Sequence, residues 1–190
     1  MKPLPPGNHG KETSFVVRTQ DSPLSLDEYR QLPRHPIHLV LDNLRSAFNV
    51  GSIFRTADTA RIASISTCGY TAHPPHPKLD KTALGTVDLI RSTHFAGTES
   101  AIRALQDQGV SVQALETTSA SVTYTDLSFP KPVALVLGNE ALGVSREVLD
   151  LCDGLIQIPT FGFKNSLNVA SAAAVVTFEI LRQWQAAEGF

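Results

Sequence analysis

The chain has 190 residues, 42% of them hydrophobic, and a formal net charge of -2. That size and apolar share suit one domain with a substantial core. The near-neutral charge neither announces nor excludes a nucleic acid, because a basic face can exist on a neutral protein.

Residues 1 to about 35 carry Pro3, Pro5, Pro6, Pro23, Pro33 and Pro36 close by, mixed with charges of both signs, and read as a loose N-terminal extension holding one short helix from Ser25 or Leu26 to Leu32. The start MKPLPPGNHGKETS lacks the apolar stretch of a signal peptide, and no apolar run reaches the length that spans a bilayer. A soluble, cytoplasmic protein is expected. After Pro36 the pattern changes. IHLVLD (37–42) reads as a strand, followed by a helix from about Asn49 to Ala60 with Asn49 as its cap, and by the β-rich IASISTCG (62–69). IRSTHF (90–95), a helix in ESAIRALQDQG stopped by Gly109, VSVQAL (110–115), PVALVLG (132–138) and GLIQIP (154–159) follow, and a last helix opens at Ser166-Leu167-Asn168 and runs to about Gln185. Continuous apolar strands spaced by helices predict an α/β fold, a mostly parallel sheet with helices on both faces.

Polar residues gather at three strand-to-helix junctions, the edge where open α/β sheets bind ligands. The first, LDNLRSAFNVGSIFRTAD (41–58), offers Asn49, Arg55 and a glycine, Gly51, that allows a close approach. The second, VALVLGNEALGVSREVLD (133–150), ends its strand in Gly138-Asn139-Glu140; its G-x-x-x-x-G lacks the Lys and Ser/Thr of a phosphate-binding loop, and Ser145 reads as a helix cap. The third, IPTFGFKNSLNVASAAAVV (158–176), opens a helix on unusually small residues. Asn168 caps well and Ala favours helix, so local propensity alone accounts for part of this. The remainder points to a ligand or another backbone that must come close. No G-x-S-x-G nucleophile elbow is present. Cys68 and Cys152 lack metal or disulfide spacing, and His73 and His76 in HPPHP are two ligands without partners, so no metal is expected.

Taken together, NVGSIFR, LGNEALG and IPTFGFKNSLNVASAAA resemble the three motifs of the SpoU/TrmH family of RNA 2'-O-ribose methyltransferases, in the SPOUT superfamily, in the same order and over roughly residues 37 to 186. KTALG (81–85) resembles a segment found between the first two motifs, while Thr160 stands where the family often has Met. The resemblance implies a catalytic domain over 36–190 with a C-terminal trefoil knot, S-adenosylmethionine as cofactor, and a homodimer. Ala172, Ala173 and Ala174 would let threaded segments pack closely. It also implies cofactor contacts at Leu115, Glu116, Thr117, Gly138, Ile158 and Leu167, and catalytic roles for Arg55, Asn49, Glu140, Ser166 and Asn168. Arginine is a poor proton acceptor, so Arg55 is expected to stabilise the developing alkoxide and orient a phosphate, with the other four holding it and the ribose. RNA is the implied partner, either tRNA or rRNA, with tRNA preferred because a minimal chain can grip a small folded RNA. Arg45, Arg61, Lys78, Lys81, Arg91 and Lys164 are candidate contacts. The alternative from another class is a catalytically silent, knotted RNA-binding or assembly protein, for which Asn49, Arg55, Glu140 and Asn168 would have no chemical use.

Overall fold

The structure, a computed structural model, describes residues 21–188, and most of the expected extension, residues 1–20, lies outside them. The chain divides between Leu32 and Pro33 into two units. In the first, α1 (Leu26–Gln31) is fixed at its start by a reciprocal cap. The Ser25 backbone N–H donates to Glu28 Oε2 at 2.8 Å, and the Glu28 N–H donates to Ser25 Oγ at 3.3 Å. None of the helix is buried.

The second unit runs β1 (His35–Asp42), α2 (Ala47–Thr59), β2 (Ile62–Cys68), α3 (Pro77–Ala83), β3 (Ser92–Phe95), α4 (Thr98–Gln106), β4 (Ser111–Leu115), β5 (Val122–Thr123), β6 (Val133–Leu137), α5 (Arg146–Leu149), β7 (Gly154–Gln157) and α6 (Val169–Glu188). The seven strands form one sheet in the order β3-β2-β1-β6-β4-β7-β5, and every neighbouring pair is parallel. The predicted parallel α/β sheet with helices on both faces is the one observed.

Alternation along the central strands builds the two sides. Ile37, Leu39 and Leu41 of β1 and Val133, Leu135 and Leu137 of β6 face one way, onto Val50, Ile53 and Phe54 of α2 and Val176 and Ile180 of α6. Val40, Ala134 and Val136 face the other way, onto Ala101, Ile102 and Leu105 of α4 and Val148 of α5. Burying each larger aliphatic side chain contributes roughly 1.5–3 kcal/mol, which is why these strands read as unbroken apolar runs. The chain winds outward from β1 through β2 to β3, and the remaining strands lie on the opposite side of β1. Strand order therefore reverses between β1 and β6, and the loops leaving these two strands are joined there by hydrogen bonds, Asn139 Nδ2 donating to Asn43 O at 2.7 Å.

Two local expectations change. Gly51 does allow a close approach, but by another helix: a Cβ there would come within 2.7 Å of Thr82 Cβ and 3.1 Å of Leu79 O, so α3 packs directly on the α2 backbone. α3 itself is not among the elements expected from the sequence. It forms because Pro77 is pre-set for the first helical turn and the His76 side chain accepts from the Lys78 N–H at 3.3 Å.

Candidate active site

Ser46, not Asn49, caps α2: its Oγ accepts from the Asn49 backbone N–H at 3.3 Å. A serine is as good a cap as asparagine, and three residues of uncertainty at a helix start are enough to confuse the two. The shift matters chemically, because Asn49 then sits in the first turn with its side chain free for other partners.

Those partners come from the other two junctions. Asn49 Nδ2 donates to Glu140 Oε1 at 2.8 Å, and Asn49 Oδ1 accepts from Asn168 Nδ2 at 3.1 Å. One asparagine thus ties the β6–α5 turn to the start of α6. Glu140 also accepts the backbone N–H groups of Arg45, at 2.8 Å, and Ser46, at 3.1 Å. It closes the approach to α2 from outside, where a negative charge meets unsatisfied donors and the positive end of the helix. Partial burial pushes its carboxyl up, but the hydrogen bonds from Arg45, Asn49 and Ser46 outweigh this and hold it below the ordinary value. Asn168 caps α6 through Oδ1, which accepts from Ala170 N at 2.9 Å and Ser171 N at 3.3 Å. Its amide nitrogen remains for Asn49.

Asn139 is a member of this group that the sequence reading passed over. It is buried, and its Nδ2 donates to Asn43 O at 2.7 Å and to Tyr70 Oη at 2.6 Å, while its Oδ1 accepts from the N–H groups of Ala141 and Leu142 at 2.8 and 3.0 Å. All four side-chain bonds are made inside the fold. Its position between Gly138 and Glu140 was the available signal, since Asn readily turns its own backbone.

The β6–α5 turn folds back on itself, with Asn139 and Gly143 exchanging backbone hydrogen bonds of 3.1 and 2.8 Å. Gly138 is required by that closure: an added Cβ would lie 2.5 Å from Gly143 C and 2.6 Å from Val144 N, both main-chain atoms that cannot swing aside. Glu116 braces the far wall, its Oε2 accepting from Val144 N and its Oε1 from Thr117 N, each at 2.9 Å.

Between these walls, at the carboxyl ends of β4, β6 and β7, lies a cavity of about 610 Å³. Leu115, Glu116, Thr117, Gly138, Ile158 and Leu167, expected at a cofactor, all line it, as do Glu140, Ser166, Asn168 and Ala172. Ala173, one residue further along α6, is buried in the core. The small residues at this helix start therefore serve a cavity wall on one side and close packing on the other. Arg55 stands apart. It is exposed on α2, about 9 Å along the axis from Asn49 at 1.5 Å per residue, does not line this cavity and has no side-chain partner among the described residues. Of the basic residues expected around this edge, Arg61 and Arg91 lie at the opposite one, because they immediately precede β2 and β3 in an all-parallel sheet. Among the described residues no His, Cys, Asp or Glu cluster is arranged to hold a metal ion, and no helix is long and apolar enough to cross a membrane.

The family model described as SpoU rRNA Methylase matches residues 36–178. The chain belongs to the SpoU family. Among SpoU relatives, a 23S rRNA (guanosine-2'-O-)-methyltransferase, RlmB, of Vibrio parahaemolyticus is 35% identical over 156 residues, 80% of this chain and 62% of its own length. A tRNA (guanosine(18)-2'-O)-methyltransferase of Thermus thermophilus is 30% identical over 166 residues, 87% of this chain and 84% of its own. Among solved SpoU structures, an AdoMet-bound rRNA methyltransferase from Sinorhizobium meliloti superimposes with a TM-score of 0.72 at 34% identity, over 81% of this chain and 59% of that one. The A. aeolicus TrmH/SpoU tRNA modifying enzyme, at 24% identity and a TM-score of 0.77 over 86% of this chain and 82% of that one, shares the fold. This chain spans about three-fifths of the Vibrio relative and of the Sinorhizobium structure.

Proposed function

We propose that this chain transfers a methyl group from S-adenosylmethionine to a ribose 2'-hydroxyl of RNA, with residues 36–190 as the catalytic domain. The observation that carries the reading is the Glu140–Asn49–Asn168 chain, which joins all three motifs and whose two outer members line one cavity. Relatives named for both tRNA and rRNA 2'-O-methylation support the reaction class and leave both kinds of RNA open.

The cavity suits the cofactor on its own terms. Its volume falls within the range of small-molecule sites, and Leu115, Leu137, Ile158, Leu167 and Val169 give apolar walls against which an adenosyl group can lie. The turn that Gly138 lets close makes one side of it from main chain. Bound there, S-adenosylmethionine would supply an electrophilic methyl carried by a sulfonium. The chain's own residues then have separable tasks. Glu140 keeps the loop before α2 in place, Asn49 and Asn168 fix the α6 start, and Ser166 offers a hydroxyl at the cavity wall. Arg55, with no partner inside the fold, is the residue proposed to meet the acceptor hydroxyl and a phosphate; such a preorganised donor is worth roughly 3 kcal/mol to developing negative charge.

A trefoil knot and a homodimer belong to this reading. β7 sits between β4 and β5, so the 116–132 connection passes around its outer side, and α6 is tied to that connection by Gln183 Nε2 to Leu127 O and Trp184 Nε1 to Phe129 O, both at 3.1 Å. This arrangement supports a threaded C-terminus. On the opposite side α6 exposes Val175 and Phe178, one turn apart, a surface that a second copy would cover. A cytoplasmic location is part of the same reading.

The experiment is methylation of total RNA with labelled S-adenosylmethionine, mapping of the modified riboses, and calorimetry of cofactor binding, for wild type and Arg55→Ala. The reading expects cofactor binding in both and transfer in the wild type alone, with at least a hundredfold loss in the variant, about 3 kcal/mol. A wild type that does not bind S-adenosylmethionine ends the reading; unchanged turnover in Arg55→Ala removes that residue from the mechanism.

A further inference from the structure

On the other side of the Asn139–Glu140 wall lies a second cavity, of about 510 Å³, between the loop before α2 and the β2–α3 loop. We propose that this cavity, lined by Arg45, Phe48, Tyr70, His73, His76 and Lys78, is a nucleotide subsite that takes the base and phosphate of an RNA residue next to the one being methylated. The proposal rests on the methyltransferase reading and adds to it where the RNA strand runs.

Charge is the first argument. In a chain with a formal net charge of -2, no Asp or Glu lines this cavity, while two cations do. Neither Arg45 nor Lys78 is in an ion pair among the described residues, and both are exposed. An anionic partner is the complement of such a surface.

The rings are the second. Phe48 and Tyr70 are 57% and 62% exposed, and they open onto one cavity. Folding gains little from rings left in water, whereas an unstacked base can lie on either face. Phosphate and base requirements are therefore met by different side chains of the same pocket.

The third is rigidity. His73 stacks on His94 with ring centroids 4.0 Å apart, and His94 is held by Thr67 at 3.2 Å. Lys78 is carried by α3, whose contact with Gly51 leaves no slack. The histidines, read from the sequence as surface decoration without metal partners, line this pocket without any carboxylate.

Position decides the ligand. The Tyr70 hydroxyl accepts from Asn139, and Glu140 holds the Arg45 and Ser46 N–H groups; Asn139 and Glu140 also line the larger cavity. Only this one layer of side chains separates the two sites. A strand whose acceptor ribose faces the methyl donor must continue past that layer, and the smaller cavity is where its neighbouring nucleotide arrives.

The test compares wild type with Arg45→Ala, Lys78→Ala and Phe48→Ala, measuring binding of a fluorescent single-stranded oligoribonucleotide across a salt series, S-adenosylmethionine binding by calorimetry, and mass by light scattering. Each cation variant should bind more weakly and lower the salt slope by about one. Phe48→Ala should weaken binding about tenfold with the slope unchanged. Cofactor affinity and mass should match the wild type throughout. Wild-type RNA affinity in all three variants, or a loss that tracks a change in mass, overturns the subsite while leaving the methyltransferase reading intact. A wild type that binds neither probe overturns both.

Discussion

Asn49 and Glu140 come from different elements and meet only in the folded chain, Nδ2 to Oε1 at 2.8 Å. Around that bond the carboxylate gathers two backbone donors as well, so a single ionised group organises the entrance to α2.

Glu140 should make stability depend on acid. Its folded carboxyl lies below the ordinary value of 4.5, so its contribution is complete above about pH 4.5 and disappears as pH falls through the depressed folded value. The group is exposed, which limits the contribution to about 1 kcal/mol, or about 2–4 °C in Tm. Glu140→Gln should therefore melt below the wild type at neutral pH, and the two should converge in acid. Parallel melting curves at every pH would refute this.

Asn49 and Asn168 should behave as one unit. Asn49→Ala and Asn168→Ala each break the 3.1 Å bond between them, and the double variant should lose less stability than the two losses added. A coupling of about 0.5–1 kcal/mol from urea unfolding is expected. Strict additivity would mean that the bond carries no energy.

Gly138→Ala should be among the most damaging single changes at the site. The new methyl meets main chain at 2.6 Å with nothing flexible to yield, so the 139–143 turn must open. Cofactor affinity should fall at least tenfold by calorimetry. Gly109→Ala is the control: nothing lies near its added methyl, only its positive φ of 75° is strained, and binding should be retained.

Both thiols should be inert in the native protein. Burial, the leading cause in each case, pushes Cys68 and Cys152 up to about 12, leaving almost no thiolate at neutral pH. A colorimetric thiol reagent should react slowly until denaturant is added, then titrate two groups, since both cysteines are free. Immediate reaction of the folded chain would contradict this.

Much of the architecture was legible because the strands are buried on both faces. A run such as VALVL can be unbroken only where helices cover both sides, and that alone points to a parallel sheet. The cavity was legible through family motifs, whose residues fall at strand ends. Less could be read where partners are distant in sequence. Asn49 looked like a cap because its bonds to Glu140 and Asn168 exist only after folding, and what approaches Gly51 could not be named because α3 was not among the expected elements. β5 is two residues long and rests on β7 alone, so no local pattern marks it. Arg61 and Arg91 were misplaced for a simpler reason: charge type does not reveal which end of a strand a residue precedes.

The bond from Asn139 to the Tyr70 hydroxyl has an evolutionary consequence. A substitution at Tyr70 that removes the hydroxyl also takes a partner from the turn that walls the larger cavity. If the smaller cavity holds a nucleotide as proposed, its lining and the methyl-donor chamber would then vary as a linked pair, and a change to one would have to be offset in the other.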